Sequence, residues 1–222
     1  MKSRILFIPI VALAFLLFSC EIDNFDAPTA TLSGSITYNN ESVGVRSRGL
    51  ELELWQHGYE NFVKIPVHIS QDGTYSASLF DGAYKLVRMS NGPWENNTDS
   101  IDVVVKGNTV VDVPVIPYFT VSGVKFSNSG KTITATFTVN KISTQRALQS
   151  ARLFIGKTII TDNGNNIVSA RISAPEITLG STVTLTATLP ENFNEKFVYA
   201  RVGVETEGIG QLLYSTSEKI DL

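Results

Sequence analysis

Two segments in the second half of the chain alternate threonine with apolar residues without a break. Residues 132–139 are Thr-Ile-Thr-Ala-Thr-Phe-Thr-Val, and residues 182–189 are Thr-Val-Thr-Leu-Thr-Ala-Thr-Leu. Successive side chains of a β-strand point to opposite faces of its sheet, so this alternation gives each strand one apolar face and one polar face. Both segments therefore predict strands of an antiparallel sheet that packs one face on a core.

Shorter runs with the same period recur from Pro28 onward, separated by residues that favour turns. Asp72-Gly73 and Asp81-Gly82 are such turn pairs, because they accept the left-handed backbone of tight hairpins. Only residues 143–151 suggest the start of a short helix. Strands are predicted at residues 31–38, 50–55, 74–79, 82–89, 100–105, 110–115, 152–155, 167–172, 198–204 and 211–219. The chain is thus predicted to be all-β.

Two prolines near the middle of the chain, Pro114 and Pro117, interrupt the strand pattern. Proline has no backbone N–H to donate to the ladder of a central strand, so the pair favours a connection at this point. We therefore expect two tandem antiparallel β-sandwich domains, one over residues 28–117 and the other over residues 118–222. Each length is near that of an ordinary domain with its own core.

The first nineteen residues have the character of a signal peptide. Lys2 and Arg4 precede an apolar run, residues 5–18, that is too short to cross a bilayer as a helix of roughly 20 residues. Residues 17–20, Leu-Phe-Ser-Cys, resemble a bacterial lipobox, which implies cleavage before Cys20 and lipid attached to it. The alternative is an ordinary secretory signal with an incidental cysteine. Because Cys20 is the only cysteine of the chain, it cannot form an intrachain disulfide, and lipidation would account for its presence.

Residues 20–27 are expected to form a tether between the lipid and the first domain, because they are acidic and show no helix or strand period. An acidic cluster directly after the lipidated cysteine resembles the surface-export signal of Bacteroidetes lipoproteins. This resemblance implies a protein anchored by lipid in the outer membrane and facing the cell exterior.

Charge and motifs argue against several classes of function. Without the signal peptide the chain has more acidic than basic residues, so it has no electrostatic footprint for nucleic acid. Residues 130–132 and 156–158, both Gly-Lys-Thr, lack the earlier glycine of a phosphate-binding loop. The two histidines, His57 and His68, have neither the spacing nor the partners of a zinc site. No enzyme, cofactor or metal is therefore predicted, although a carboxylate pair that acts across space has no sequence signature.

A large aromatic residue, Trp94, stands in a long polar connection between two predicted strands. Its neighbours include Asn91, Glu95, Asn96 and Asn97. Sugars stack their C–H faces on aromatic rings and form hydrogen bonds with amides and carboxylates, so these five residues are candidate carbohydrate ligands. In the alternative, Trp94 folds back as an apolar plug for the open end of the sandwich and buries about 200 Å².

Trp55, Tyr59 and Phe62 are predicted to form a second aromatic cluster. Leucines occupy alternate positions of the strand that ends at Trp55, which places Trp55 on the face opposite the leucines. Trp55 and Tyr59 are therefore a second set of candidate carbohydrate-binding residues. Ordinary packing on the face of the sheet is the alternative.

Two segments resemble known sandwich folds. Residues 73–86, Gly-Thr-Tyr-Ser-Ala-Ser-Leu-Phe-Asp-Gly-Ala-Tyr-Lys-Leu, follow Gly-Ser-Ile at residues 34–36 and resemble the motif of the transthyretin-like, carboxypeptidase regulatory-like sandwich. Leu-Pro at residues 189–190 and Phe-Val-Tyr-Ala-Arg-Val-Gly-Val at residues 197–204 resemble a strand corner of a fibronectin type III or immunoglobulin-like domain. These resemblances imply one such fold for each domain, in that order.

With Asn-Gly-Pro-Trp at residues 91–94 and the run at residues 99–106, the whole chain resembles a two-domain family of Bacteroidetes outer-membrane lipoproteins. Such proteins are usually encoded beside SusC-like and SusD-like glycan-uptake proteins. The resemblance implies an accessory carbohydrate-binding or complex-forming component of polysaccharide uptake, with a glycan and SusC-like or SusD-like proteins as partners. The main alternative is a structural adaptor that docks on outer-membrane proteins without sugar contact, and an enzyme is the third.

Overall fold

β-Structure runs through nearly all of the chain that the computed structural model describes, residues 26–58 and 62–222. The first half forms β1 Ala30–Tyr38, β2 Glu41–Ser42, β3 Glu51–Trp55, β4 Ile65–His68, β5 Thr74–Leu79, β6 Gly82–Arg88, β7 Ser100–Val105, β8 Asn108–Val110 and β9 Val113–Pro114. The second half forms β10 Phe119–Ser129, β11 Thr132–Lys141, β12 Leu148–Gly156, β13 Val168–Ser173, β14 Thr182–Thr188, β15 Phe197–Thr206, β16 Leu213–Tyr214 and β17 Glu218–Asp221. The all-β prediction is confirmed.

A 3-10 turn, Ala174–Glu176, follows β13. No helix within the described residues is long and apolar enough to cross a membrane. The predicted signal peptide, Cys20, most of the acidic tether and Tyr59 lie outside the described residues.

Strand β1 organises the first domain, because four other strands pair with it. β2 and β5 run antiparallel to β1, whereas β8 and β9 run parallel to it. A second sheet has the order β4-β3-β6-β7 and is antiparallel throughout. Leu32 and Ile36 of β1 share one fully buried core with Leu54 of β3 and Leu86 of β6. Two sheets that bury a common apolar layer form a sandwich, and the parallel pairs of β1 depart from the purely antiparallel arrangement expected.

The second domain packs the sheet β10-β11-β14 against a sheet of order β13-β12-β15-β16, in which β17 also pairs with β15. The threonine-rich segments are β11 and β14, and they pair so that Thr132 faces Thr188 and Thr134 faces Thr186. The hydroxyl oxygens of these two pairs are 3.2 and 3.3 Å apart. The apolar residues between the threonines are buried, and one such as Phe137 contributes about 1.5–3 kcal/mol by leaving water. The alternation therefore separates a core face from a solvated face, as predicted.

Three strands, β2, β4 and β10, are absent from the sequence prediction, and the single strand expected at residues 110–115 is instead divided between β8 and β9. β4 contains Pro66, which disfavours a central strand, and β4 is in fact an edge of its sheet. In β10 the register shifts between Ser122 and Lys125 because of a bulge, and Gly123 takes the left-handed conformation there (φ 61°). A bulge breaks the period of two, so a long strand with a polar sequence loses its signal.

The helix expected within residues 143–151 is wrong. Leu148–Gly156 is strand β12, in which Ala151 is fully buried and pairs with Ile172 and Val204 on either side. Pairing on both sides outweighs weak local helical preference. The strand expected at residues 211–219 is instead divided into β16 and β17.

The connection between the domains is held by the loop that follows β6. The Glu95 N–H donates to the Ile116 carbonyl at 2.8 Å, and the Tyr118 N–H donates to the Pro93 carbonyl at 3.2 Å. These bonds fix the short segment between β9 and β10 against the first domain. The domains therefore meet at the end of the first sandwich that carries this loop.

Candidate functional site

The Trp94 side chain is 3% exposed and belongs to the core of the first domain. Trp94 also forms an isolated β-bridge with Pro117 of the connection. Gly92 permits this position, because a Cβ at Gly92 would lie 2.4 Å from a carbon atom of the indole, closer than atoms can approach. The indole has no open face on which a sugar could stack, and Trp94 fills the end of the sandwich as the plug alternative predicts.

The polar neighbours of Trp94 lie nearer the surface, and several of them form hydrogen bonds within their own loop. Asn91 takes a left-handed turn conformation (φ 72°), and its N–H donates to Asn96 Oδ1 at 3.4 Å. Asn97 Oδ1 accepts a backbone N–H two residues on, at 2.7 Å. The Ser143 hydroxyl donates to the Glu95 carboxylate across the domain boundary. These groups order the loop and its contact with the second domain.

A pocket of about 490 Å³ opens beside this loop and brings three predicted residues together. Glu95, Asn96 and Asn97 line it with Arg88 from the end of β6. Arg88 Nη1 donates to the Pro114 carbonyl at 2.8 Å, whereas Arg88 Nε is buried without a hydrogen-bond partner among the described residues. The predicted polar residues thus gather around an arginine and not around an aromatic ring.

Trp55, His57 and Phe62 form an aromatic cluster where β3 ends. The ring centroids of Trp55 and Phe62 are 5.0 Å apart, and those of His57 and Phe62 are 4.7 Å apart. Trp55 lies on the outer face of its sheet while the β3 leucines are buried, as the alternation predicts. Trp55 Nε1 donates to the Glu53 carboxylate at 3.1 Å, and Lys64 Nζ donates to the same carboxylate at 2.7 Å.

The two predicted sets of carbohydrate-binding residues lie at opposite ends of the first domain. Trp55 pairs with Lys85 near the start of β6. The Trp94 loop leaves β6 after Arg88, which pairs with Leu52 at the other end of β3. The aromatic cluster and the Trp94 loop therefore cannot contribute to one binding site.

A larger groove, of about 690 Å³, lies between the two domains and was not predicted. We refer to it as the interdomain groove. Its polar wall includes Glu41, Ser42, Gln71, Asp72, Thr120, Ser122, Thr216, Ser217 and Glu218. Its apolar wall includes Tyr38, Val121, Val124, Phe126 and Ile159. Both domains contribute to each wall, so the groove exists only while they are held together.

Arg201 of β15 lies at the floor of the groove and joins the domains. Its side chain is among the most deeply buried of the described residues, 1% exposed. Nη1 donates to the Val45 carbonyl at 3.1 Å and Nη2 to the Gln71 carbonyl at 2.6 Å, both in the first domain. Nε donates to the Ser215 carbonyl at 2.7 Å in the second domain. One guanidinium thus binds backbone carbonyls from both domains.

Burial lowers the pKa of Arg201 to about 10, because the charged form loses its water. The surrounding groups Tyr214, Asp162 and Asp72 act in the opposite direction. Among the described residues no carboxylate forms an ion pair with Arg201, so its charge is stabilised mainly by carbonyl dipoles and by the Tyr214 ring. At neutral pH Arg201 remains protonated.

Asp72 stands at the rim of the groove. Burial alone would raise the pKa of Asp72. Hydrogen bonds from the Thr74 hydroxyl at 2.7 Å and the Thr74 N–H at 3.1 Å together outweigh burial, so the pKa lies below its usual range. Nearby, Gln71 Oε1 and Ser217 Oγ are buried and have no hydrogen-bond partner among the described residues. The groove is therefore rich in acceptor oxygens.

The sequence does contain one signal for this groove. Arg201 is the only charged residue in the otherwise apolar run of residues 198–204, whose strand is almost wholly buried. A charge at the centre of a strand covered on both faces has to be hydrogen-bonded, and such residues often join parts of a structure. The partners of Arg201 in the first domain are not encoded locally, because Val45 and Gln71 lie more than 100 residues away in the sequence.

No three His, Cys, Asp or Glu side chains are grouped to hold a metal ion within residues 26–58 and 62–222. The carboxylates of the interdomain groove thus form no metal cluster. The walls can provide hydrogen bonds, apolar contact and, from the carboxylates, negative charge.

Two family models match the chain, one for each domain. The model described as "Protein of unknown function (DUF3823) N-terminal domain" matches residues 30–116. The model described as "Domain of unknown function (DUF3823_C)" matches residues 119–219. No curated protein matches the chain.

Solved structures of similar proteins span both domains. A DUF3823 family protein from Bacteroides ovatus is 42% identical with a TM-score of 0.81, and one from Parabacteroides merdae is 36% identical with a TM-score of 0.81. A protein from Bacteroides uniformis that is provisionally named as carbohydrate-binding is 26% identical with a TM-score of 0.73. Each match covers 88% of this chain and 100% of the other.

Proposed function

We propose that this chain, which belongs to the two-domain DUF3823 family, is an outer-membrane lipoprotein at the cell surface. In this proposal it binds carbohydrate in the interdomain groove. Under this proposal Cys20 carries the lipid, and the protein is an accessory component of a polysaccharide-uptake system with SusC-like and SusD-like partners. The lipobox-like sequence and the acidic tether support the location. The Bacteroides uniformis relative provisionally named as carbohydrate-binding supports the class of ligand.

The interdomain groove is the observation that carries the proposal. Its volume of about 690 Å³ lies within the range of roughly 300–1,000 Å³ that is usual for small-molecule sites. Sugar C–H groups can pack on its apolar wall, which includes the half-buried ring of Tyr38. Sugar hydroxyls can donate to its carboxylates and accept from its threonine and serine hydroxyls.

Hydrogen bonds between the domains hold the two walls of the groove together, which favours binding. Arg201 binds carbonyls of both domains, and the Tyr214 N–H donates to the Gly44 carbonyl across the boundary at 2.9 Å. A site whose walls are already in place loses less conformational entropy when ligand binds. A short oligosaccharide would therefore meet a preformed surface.

The test is a screen of the unlipidated chain, residues 21–222, against a panel of oligosaccharides, followed by variants measured by calorimetry with the best ligand. Tyr38→Ala should weaken binding by about 1–3 kcal/mol, by analogy with stacking on aromatic side chains. Asp72→Asn should also weaken it. Asp81→Asn, in the other Asp-Gly turn, is the matched control and should bind as wild type does. Wild-type affinity in both groove variants would reject the groove, and no bound oligosaccharide would reject the ligand class.

An adaptor without sugar contact is the second candidate, and the exposed aromatic cluster at Trp55 favours it. Phe62 packs on Trp55 yet remains about half exposed, and exposed apolar surface of this kind often marks an interaction site. Cross-linking in cells through a photoreactive residue at position 62 would capture an outer-membrane protein if this candidate holds. A protein that binds sugar but gives no cross-link at position 62 would support the carbohydrate function and not the adaptor.

A further inference from the structure

Several turns of the first domain meet at the end of the sandwich where the chain enters. Ala30, the first residue of β1, pairs with Leu79, the last residue of β5. The Thr31 N–H donates to the Gly107 carbonyl at 2.9 Å, and the Gly107 N–H donates to Asp81 at 2.9 Å. The entry of the chain, the β5–β6 turn and the β7–β8 turn are thus adjacent. We call this surface the tether end.

The segment that precedes β4 lies at the tether end as well. Leu54 near the end of β3 pairs with Ile65 at the start of β4, so residues 62–64 come from beyond the end of β3. Gly82 at the start of β6 pairs with Val105 at the end of β7. The interdomain groove is at the opposite end, because Gly44 and Gln71 contact the second domain there.

The tether end carries most of the exposed apolar side chains of the first domain. Six large apolar residues in the described part of this domain are exposed, and four of them lie at or next to the tether end. These four are Phe62 (48%), Val63 (67%), Phe80 (53%) and Val104 (73%). Phe62 and Val63 precede β4, Phe80 is in the β5–β6 turn, and Val104 is near the end of β7. Exposed apolar residues that are grouped at one end of a domain often mark an interaction site.

The length of the tether places a membrane near this end. Ala30 lies ten positions after Cys20, and even a fully extended chain of ten steps spans no more than about 36 Å. If Cys20 carries lipid, as the proposed function states and as this step assumes, the tether end stays within that distance of the bilayer. No other end of the molecule is restrained in this way by the anchor.

We propose that Phe62, Val63 and Phe80 insert into the interface of the lipid bilayer, so that the first domain stands on the membrane and the groove is directed away from it. Aromatic and aliphatic side chains on a protein surface bind at the boundary between headgroups and acyl chains. Lys106 at the same end is exposed, and a lysine side chain there can extend toward headgroup phosphates beside inserted apolar residues, whereas Lys64 is paired with Glu53.

The arrangement fits lipid better than a protein partner. Phe62 and Val63 belong to one connection and Phe80 to another, and the charged residues Lys64 and Asp81 are their neighbours in the sequence. A stable protein interface generally buries more than about 1,000 Å² of matched surface, whereas separate apolar tips can each enter lipid alone. A bilayer with phosphate headgroups is therefore the occupant that the tether end suits.

The test uses the unlipidated chain, residues 21–222, with vesicles of phosphatidylcholine and phosphatidylglycerol in which about one lipid in four is anionic. Wild type should co-sediment with the vesicles, and the double variant Phe62→Ser/Phe80→Ser should bind roughly tenfold or more weakly, because each ring removes apolar burial. Leu179→Ser/Phe197→Ser, which changes two exposed apolar residues of the second domain, is the matched control and should bind as wild type does.

A second readout follows the position of the cluster itself. Brominated lipids should quench Trp55, which packs against Phe62, whereas Trp94 is buried and provides an unquenched internal reference. Trp55→Phe should therefore remove the quenching. Wild type that fails to bind vesicles, or two double variants that bind equally, would overturn the inference.

The outcomes also separate this inference from the proposed function. Absence of vesicle binding with oligosaccharide binding retained overturns the membrane contact alone. Vesicle binding without oligosaccharide binding overturns the sugar site alone. If the chain does not bind vesicles and a photoreactive residue at position 80 captures an outer-membrane protein, the tether end binds a protein partner and not lipid.

Discussion

The guanidinium of Arg201 lies 4.5 Å from the ring centroid of Tyr214. A cation over an aromatic ring contributes about 0.5–2 kcal/mol, with the larger values where water is excluded. Gly44 of the first domain lies against both residues, and a Cβ there would be 2.5 Å from the Tyr214 carbonyl oxygen and 3.0 Å from Arg201 Nη2. The contact between the two domains at this point thus depends on a glycine on one side and a buried cation on the other.

Arg201→Ala should lower the free energy of unfolding by about 2–4 kcal/mol, because buried carbonyls of both domains lose their donor. Denaturant melts of the full chain measure the change. Arg171→Ala is the control, since Arg171 lies on the surface and is expected to change stability by less than about 1 kcal/mol. An Arg201 variant as stable as the control would show that the interdomain contact contributes little to stability.

Trp94→Ala should lower the free energy of unfolding by about 3–5 kcal/mol, the usual range for a large aromatic residue removed from a core. Oligosaccharide affinity should be unchanged in the molecules that remain folded. Trp55→Ala should cost much less stability, because Trp55 lies on the outer face of its sheet. The opposite ranking of the two tryptophans in denaturant melts would contradict the plug.

Asp72 should make stability depend on acid. The pKa of Asp72 in the folded protein lies below the ordinary value of 3.8, so its ionised form contributes stability above that value and loses it as the pH falls through the folded pKa. Asp72→Asn should therefore destabilise the protein at neutral pH, and the difference from wild type should shrink in strong acid. Thr74→Val, which removes one of the hydrogen bonds, should reproduce part of the effect. A difference that stays constant with pH would exclude this role of the carboxylate.

The interdomain groove should prefer neutral oligosaccharides to those that contain uronic acids. Glu41, Asp72 and Glu218 contribute negative charge to its walls, while Arg201, the cation among its described lining residues, is almost fully buried. Replacing Glu218 by Gln should reduce the discrimination, as should higher salt, because exposed charges are screened. Calorimetry with a matched pair of neutral and acidic oligosaccharides measures it. Tighter binding of the acidic member would contradict this distribution of charge.

Cys20→Ala should release the protein from the membrane pellet after a high-salt wash, because a few interfacial side chains give only weak and reversible binding without lipid. Replacement of Glu21, Asp23 and Asp26 together by Ala should leave the protein lipidated but remove its accessibility to external protease. Persistence of the Cys20→Ala variant in the washed pellet would contradict the anchor. Unchanged protease accessibility would contradict the export signal.

Strands whose two faces differ in polarity were predictable from the sequence. β11 and β14 follow directly from the alternation of threonine with apolar residues, because burial of one face decides their structure. β10 was not predictable, since its bulge at Ser122 to Lys125 interrupts the alternation. The weak helical preference before Ala151 was misleading, because pairing with the neighbouring strands decides the conformation there.

Predicting the candidate sites from sequence was harder than predicting the fold, because the sites depend on contacts between distant segments. Trp94 was correctly placed in a polar connection, but whether its ring is exposed depends on Gly92 and Pro117. The interdomain groove depends on Arg201 meeting carbonyls that lie 130 and 156 positions away. No local pattern encodes such a distance.

Strand β1 is the strand that the anchor would pull, since the tether joins the chain just before Ala30. β1 is held along one edge by antiparallel β5 and along the other by parallel β8. A pull along the strand loads these two rows of hydrogen bonds in shear, so many bonds share the force, whereas a pull across the strand would open them one at a time. A polymer dragged by flow at the groove end would thus load β1 along its length, the direction in which its hydrogen bonds share the force.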